Sequence, residues 1–182
     1  SKDKSLIGFV GAPWTLLIYM LKLKRNKTDL DLKKLDDISP KINSIIEQLI
    51  KYICIHIKNQ INAGADVVQI FDSWAGIIPQ KNIREYCYLP NLKIVEFCKR
   101  EKISNICFPK GLGKKYKEFN DLVKPDGINL DPEINPSWAI SNLKDVVIQG
   151  GLDPKVLLEP EEEMLQKATR YIQTFKDIPY IF

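Results

Sequence analysis

Aromatic and polar residues follow directly after one apolar run of the chain, and their types and positions could do chemistry. The run Ala65-Asp66-Val67-Val68-Gln69-Ile70 is rich in β-branched residues, which indicates a buried parallel strand, and it leads into Phe71-Asp72-Ser73-Trp74-Ala75-Gly76. In α/β proteins the carboxyl ends of the strands carry the chemistry, so we predict that Asp72, Ser73 and Trp74 lie at the mouth of a cleft, where they can contact a ligand. The alternative is that Ser73 caps the next helix and Trp74 packs beneath it.

The chain offers few other residues for metal or nucleotide chemistry. Its only histidine, His56, falls on the apolar row of a predicted helix, so we expect it to pack rather than to bind a ligand. The glycines that follow Phe108 lack the spacing of a phosphate-binding loop. The cysteines form no C-x-x-C pair and indicate reduced, buried thiols of an intracellular protein: Cys54, Cys87, Cys98 and Cys107.

Composition narrows the class of protein. The 182 residues are 45% hydrophobic and 27% charged, which is an ordinary globular mixture, and a net charge of +4 falls short of a nucleic-acid-binding footprint. No run of 18 apolar residues exists, and the first residues do not resemble a secretory signal. We therefore expect a soluble protein without a nucleic-acid or membrane partner. The expected compartment is the cytoplasm, and a plastid or another organelle is the alternative.

The whole chain alternates between short apolar bursts and amphipathic segments. The bursts predict six strands, at 6–11, 65–70, 105–108, 127–131, 146–151 and 180–182. Helices are predicted between them, beginning near Thr15, running from Ser39-Pro40 to Gly64, and covering 83–100, 114–124, 136–144 and 159–176. Pro90 should kink the third helix or divide it in two. Residues 21–41 are predicted to form an exposed, variable connector with some helix.

This alternation predicts an α/β fold with a parallel sheet. Right-handed helical crossovers leave two architectures, an open doubly wound sheet and a closed (β/α)8 TIM barrel. A barrel takes about 250 residues and eight strands, so this chain would supply about six of the eight βα units. Because Phe182 falls within an apolar burst, we expect residues 1–182 to be part of a single, incomplete barrel domain.

Three segments, in this order, resemble one protein family. They are Leu6-Ile7-Gly8-Phe9-Val10-Gly11-Ala12-Pro13-Trp14-Thr15-Leu16 with Tyr19-Met20, then Gly64-Ala65-Asp66 running to Gln69-Ile70-Phe71-Asp72-Ser73-Trp74-Ala75-Gly76, and then Gln149-Gly150-Gly151-Leu152-Asp153-Pro154. The chain resembles the uroporphyrinogen decarboxylases over nearly its whole length. The resemblance is weakest from Leu21 to Lys41, where the family has a stretch containing Gly and Ser.

The resemblance implies a (β/α)8 barrel, a homodimer, and an enzyme of haem biosynthesis without metal or organic cofactor. The implied reaction converts the four acetate side chains of uroporphyrinogen III to methyl groups and yields coproporphyrinogen III. It further implies that Tyr19 and Ser73 hydrogen-bond the substrate and that Phe9 and Phe71 line its pocket. A phenol and a hydroxyl can donate to a substrate carboxylate, and the two rings provide flat apolar walls for a tetrapyrrole. Without the resemblance, Tyr19 would indicate helix packing and the two phenylalanines barrel core.

Other groups that the family uses have no counterpart in these residues. The family has a pair of arginines and an aspartate near its amino terminus, and a histidine just after its last strand. Asp72 and His56 do not stand at those motif positions. The resemblance therefore assigns no catalytic residue within this sequence, and we expect the 182-residue chain by itself to be inactive.

Two other functions remain open at this point. Corrinoid- or folate-linked methyltransferases share this type of barrel, and they bind zinc through His and Cys at strand ends. Here the cysteines fall inside predicted strands or helices and the histidine lies within a helix, which disfavours that function. A non-catalytic barrel relative that binds a tetrapyrrole is the second alternative.

Overall fold

A computed structural model of the chain describes residues 4–23 and 31–182. Its strands form one parallel sheet in which each strand pairs with the next one along the chain. All six strands were predicted, each to within two residues at either end. They are β1 (Ile7–Gly11), β2 (Val67–Asp72), β3 (Ser104–Pro109), β4 (Gly127–Leu130), β5 (Val147–Gly150) and β6 (Tyr180–Ile181).

Helices connect the strands, as the alternating pattern predicted. They are α1 (Pro13–Met20), α2 (Leu32–Asn62), α3 (Leu89–Arg100), α4 (Tyr116–Val123), α5 (Pro136–Asn142) and α6 (Glu161–Thr174). Sequential parallel pairing with a helix after each of the first five strands is the arrangement of a (β/α)8 barrel. The predicted α/β fold is confirmed, and the six strands correspond to part of such a barrel.

The predicted start of α2 at Ser39-Pro40 is wrong. The helix begins at Leu32, where the Asp31 side chain accepts a hydrogen bond from the Lys34 backbone N–H at 3.2 Å. Pro40 lies inside the helix and is exposed, so it removes one backbone hydrogen bond without disturbing packing. The apolar stripe of α2 already begins before Pro40, at the buried Leu35. Residues 32–41 of the predicted connector are therefore helical, and residues 24–30 lie outside the described part of the chain.

Pro90 divides the helical segment between β2 and β3, as predicted. A π-helical stretch at Arg84–Tyr88 comes first, and α3 follows with Pro90 in its first turn. A proline is tolerated there because the first N–H groups of an α-helix have no partner within the helix. The π-helical stretch places Cys87 and the following Asn91 of α3 close to the carboxyl end of β2, where both contact Asp72.

The main core lies between the sheet and its helices. Alternate residues of each strand point to this side, and examples from three strands, Val10, Ile70 and Cys107, are almost completely buried. All four cysteines are free, and all except the half-buried Cys54 are buried, so the prediction of unpaired thiols is confirmed. Within the described residues, no helix combines the length and the apolar character needed to cross a bilayer. The other side of the sheet, here called the inner face, carries the candidate site.

Candidate active site

Three phenylalanines form a row across the inner face of the sheet. The ring centroids of Phe9 and Phe71 lie 6.1 Å apart at an interplanar angle of 81°, and those of Phe71 and Phe108 lie 6.1 Å apart at 75°. Both are edge-to-face contacts. The Phe9 side chain is 66% exposed, whereas Phe71 and Phe108 are half-buried. This aromatic row (Phe9, Phe71 and Phe108) is thus an apolar surface that the rest of the described chain leaves open.

The backbone beneath Phe9 is fixed by one side chain of α2. The Gln60 amide accepts a hydrogen bond from the Phe9 N–H at 2.9 Å and donates one to the Phe9 carbonyl at 2.9 Å. A primary amide offers the same donor and acceptor as a neighbouring peptide group, so Gln60 stands in for a strand partner at this residue. The position of Phe9 at the start of the aromatic row is therefore set by α2 as well as by β2.

Beyond the aromatic row, the inner face becomes polar. The register pairs Cys107 with Ile128, which sets Asn129 beside Phe108, and it pairs Asn129 with Gln149. The Asn129 amide donates to the Gln149 side-chain oxygen at 3.1 Å. Each of the two amides still has hydrogen-bonding capacity beyond this contact. A flat ligand lying on the aromatic row would find polar partners at this side.

Two of the four predicted site residues contact each other, and the other two lie on neighbouring segments. Phe9 and Phe71 are in direct ring contact within the aromatic row. Ser73 is half-buried and follows the last residue of β2, whereas Tyr19 is 60% exposed in the last turn of α1. The Tyr19 ring packs edge-to-face on Trp74, with centroids 6.2 Å apart, so Tyr19 contacts the residue that follows Ser73. Trp74 itself is half-buried.

Asp72 does not lie at the mouth of a cleft, and that prediction is wrong. Its side chain is 1% exposed and points to the helices, on the same side of β2 as Ile70, because residues two apart in a strand share a face. Thr15 donates to its Oδ1 at 2.9 Å, and the Asn91 amide donates to its Oδ2 at 3.2 Å. Asp72 is therefore a buried structural carboxylate, and its neighbours Phe71 and Ser73 take the inward positions.

Two carboxyl groups at strand ends have raised pKa values. Burial raises the pKa of Asp72 to about 6, against the opposing effect of hydrogen bonds from Thr15, Cys87 and Asn91. Burial also raises the pKa of Asp131, against the effect of hydrogen bonds from Gly111 and Tyr116. Both carboxyl groups link neighbouring βα units, since each accepts a hydrogen bond from the loop or helix that follows the preceding strand.

Hydrogen bonds join the loops along this sheet edge into a continuous rim. The Gly76 N–H donates to the Lys110 carbonyl at 2.9 Å, which links the loop after β2 to the loop after β3. The Asp131 carboxylate then accepts from the Gly111 N–H at 2.6 Å and from the Tyr116 hydroxyl at 3.0 Å. Together with the Thr15–Asp72 bond, these contacts tie the loops that follow the first four strands to one another. Such a rim holds ligand-binding groups in place before a ligand arrives.

His56 is not a packing residue, which corrects the prediction for it. Its side chain is exposed on α2, at the border of a cavity of about 350 Å³ that Phe9, Tyr52 and Leu16 also line. The residue falls next to the apolar stripe rather than within it, since the buried positions nearby are Ile53 and Ile57. Among residues 4–23 and 31–182, no three His, Cys, Asp or Glu side chains come together in a way that could hold a metal ion.

Phe108 and Thr15 are among the residues of this site that were not identified from the sequence. Phe108 follows from the register of the sheet, in which β3 pairs Phe108 with Phe71, and that alignment of strand ends could have been proposed from the predicted strands. Thr15 lies in the first turn of α1, where a threonine ordinarily indicates a helix start. No pattern in the sequence predicts the hydrogen bond of Thr15 to Asp72, which lies 57 positions away.

Comparison with protein families gives a match over the full chain. The family model described as "Uroporphyrinogen decarboxylase (URO-D)" matches residues 1–182. The matched residues include the aromatic row, Tyr19 and Ser73. The resemblance to this family is confirmed.

Comparison with individual proteins gives the same result. The chain is 37% identical over 186 residues to a protein named uroporphyrinogen decarboxylase from Orientia tsutsugamushi strain Boryong, covering all of this chain and 54% of the relative. Proteins of the same name from Wolbachia pipientis wMel and Cereibacter sphaeroides are 35% and 30% identical, with 53% and 54% of each relative covered. The chain thus spans about half the length of the curated relatives it matches.

Proposed function

The chain belongs to the uroporphyrinogen decarboxylase family, and we propose that it is the substrate-binding part of an enzyme that decarboxylates uroporphyrinogen III to coproporphyrinogen III. The observation that carries the proposal is the open aromatic row, with the hydroxyl groups of Ser73 and Tyr19 at one end of the sheet. A porphyrinogen combines flat apolar pyrrole rings with a rim of carboxylates. The proposed site combines flat apolar walls with hydroxyl donors, which is the complementary arrangement.

The reaction needs an electron sink, and the substrate itself supplies one. Protonation of a pyrrole ring carbon makes the ring cationic, so the C–C bond to the carboxylate can break and release CO2 as its electron pair moves into the ring. A proton then adds to the exocyclic carbon to give the methyl group, and the ring loses the proton it first gained. The net change for each acetate is consumption of one proton and release of one CO2, without a redox step.

The described residues suit two parts of this reaction. Hydroxyl donors at Tyr19 and Ser73 would hold substrate carboxylates and so fix which acetate lies over the aromatic row. The π faces of Phe9, Phe71 and Phe108 would stabilise the cationic ring that forms after protonation, as aromatic faces do for other cations. By resemblance to the family, the aspartate, arginines and histidine would come from segments other than these 182 residues. In this proposal the described residues bind the substrate and stabilise its positive charge. The proton donor is inferred only from the resemblance to the family.

The proposal is tested by assaying the polypeptide of the complete reading frame for turnover of uroporphyrinogen III under anaerobic conditions. Chromatography of the oxidised products should show coproporphyrin and intermediates that have lost one to three carboxyl groups. Binding without loss of acetates would instead indicate a non-catalytic tetrapyrrole-binding relative. Stoichiometric zinc in the purified protein, together with absence of turnover, would favour a methyltransferase.

Removing either hydroxyl should weaken substrate binding without affecting the fold. We expect Tyr19→Phe and Ser73→Ala each to raise KM for uroporphyrinogen III by about tenfold, because each loses a hydrogen bond to a charged carboxylate. The control is Ser141→Ala, whose hydroxyl bonds only to its own helix. KM values for Tyr19→Phe and Ser73→Ala equal to that of Ser141→Ala would contradict the assignment of Tyr19 and Ser73.

Shortening the aromatic row should lower affinity as well. We expect Phe108→Ala to raise KM by about tenfold, since it removes one flat wall and the edge-to-face support of Phe71. Phe97→Ala is the control, because Phe97 is also half-buried but packs on the helix side of the sheet. A larger effect on KM in the control than in Phe108→Ala would show that substrate does not contact the inner face.

The proposal extends to assembly and compartment. A homodimer is the family's arrangement, and light scattering of the purified protein would show whether this polypeptide follows it. Four free cysteines favour a reducing compartment such as the cytoplasm. Localisation of the tagged polypeptide in its own cell would test that assignment.

A further inference from the structure

The loop that carries Ser73 is held from both sides by the first turn of α1. The Thr15 hydroxyl donates to Asp72 at 2.9 Å and accepts from the Trp74 N–H at 3.3 Å. In addition, the Trp14 indole N–H donates to the Trp74 carbonyl at 3.1 Å. The residues immediately before and after Ser73 are thus both fixed to the same helical turn.

The last turn of α1 contacts the same loop. Tyr19 lies one turn after Thr15, and its ring packs on Trp74. Because α1 is a short helix of eight residues, it transmits the position of its first turn to its last with little bending. The distance between the Tyr19 phenol and the Ser73 hydroxyl is therefore governed by how α1 sits on the Asp72-Ser73-Trp74 segment.

Thr15 is suited to set this arrangement. Its side chain is 4% exposed and Asp72 is 1% exposed, so water does not compete for their hydrogen bond. A single hydroxyl that donates to one residue and accepts from another fixes both partners, which a purely apolar contact would not do. Asn91 holds the second oxygen of the same carboxylate and so fixes its plane.

We propose that Thr15 is a positioning residue of the substrate site: bound to Asp72 and to the Trp74 N–H, its hydroxyl sets the spacing of Tyr19 and Ser73 so that both can bind carboxylates of one tetrapyrrole. This inference rests on the proposed function, since it assumes that the two hydroxyls bind the substrate. Thr15 itself does not touch the substrate; it acts through the two residues that do.

The test compares Thr15→Val, which keeps the shape but lacks the hydroxyl, with Thr15→Ser, which keeps the hydroxyl, in the polypeptide of the complete reading frame. We expect Thr15→Val to raise KM for uroporphyrinogen III by about tenfold with kcat changed less than threefold, and Thr15→Ser to restore KM to within about threefold. Thr15→Ala is a second variant without the hydroxyl and should behave as Thr15→Val does. The matched control is Thr174→Val, because the exposed Thr174 bonds only to its own helix.

A measurement without substrate separates this inference from the proposed function. Hydrogen–deuterium exchange of the peptide covering 72–77 should be faster in Thr15→Val than in the wild type, and unchanged in Thr15→Ser and Thr174→Val. If the wild type is active and Thr15→Val keeps its KM, the positioning role is overturned. If the wild type neither binds nor converts uroporphyrinogen, the proposed function fails, and equal exchange rates in Thr15→Val and wild type would then overturn the positioning of the loop as well.

Discussion

Replacing Gly76 by alanine is expected to lower the free energy of unfolding by about 3 kcal/mol, because the loops after β2 and β3 cross at this residue with no room for a side chain. A Cβ at Gly76 would lie 2.8 Å from the carbonyl oxygen of Gly111 and 2.9 Å from its Cα. Both atoms are backbone, so no rotamer change can relieve the contact. The loops also cannot separate freely, since the Gly76 N–H bonds to the Lys110 carbonyl.

A matched variant distinguishes this crowding from the general cost of replacing a glycine. Gly113 lies in the same region with a φ of +56°, and a Cβ there would meet no atom within 4 Å, so Gly113→Ala should cost about 1 kcal/mol. In thermal denaturation we expect Gly76→Ala to lower Tm by about 6–12 °C and Gly113→Ala by about 2–4 °C. Equal shifts in the two variants would mean that the two loops do not cross as closely as described.

The sequence predicted the order and type of the elements well, for a simple physical reason. Buried parallel strands such as Val67–Asp72 are short, β-branched and bounded by Gly or Pro, and that local composition does not depend on which elements later pack against them. The start of α2 depended on more than local signals. Ser39-Pro40 has the composition of a helix start, but the apolar stripe from Leu35 to Ile42 continues across it and buries more surface in a longer helix.

The positions of some site residues were predicted, and two misses have different causes. Phe9 and Phe71 were assigned to the pocket, and they do meet on the inner face. Asp72 was expected beside them, yet Ile70 two residues earlier already faces the helices, and the alternation of a strand sends Asp72 to the same side. Phe108 was missed because its place depends on the register between two strands, which no single segment of sequence contains.

The buried Asp72 should make the protein less stable as the pH rises from 4 to 7. Its pKa is raised by burial from the ordinary 3.8 to about 6 in the folded state, so between these values the native protein retains a proton that the unfolded chain has released. The stabilisation from this proton is complete below pH 4 and is lost as the pH passes 6, a change of about 3 kcal/mol. The titratable neighbours are the thiols of Cys87 and Cys107, whose pKa values are raised by burial, so both stay neutral throughout this range.

Comparison of Asp72→Asn with the wild type isolates this carboxyl group, because the other titrating groups are common to both proteins. Urea unfolding at pH 4, 5, 6 and 7 should show the free energy of unfolding of Asp72→Asn rising relative to the wild type by about 2 kcal/mol across the series. Asp121→Asn removes an exposed carboxylate that pairs with Lys117, and it controls for the loss of one negative charge. A constant difference between Asp72→Asn and the wild type from pH 4 to pH 7 would mean that Asp72 is ionised in the folded protein throughout. In that case its hydrogen bonds to Thr15 and Asn91 would fully offset the cost of burying the charge, and the contact that ties α1 to the Ser73 loop would be a permanently charged one.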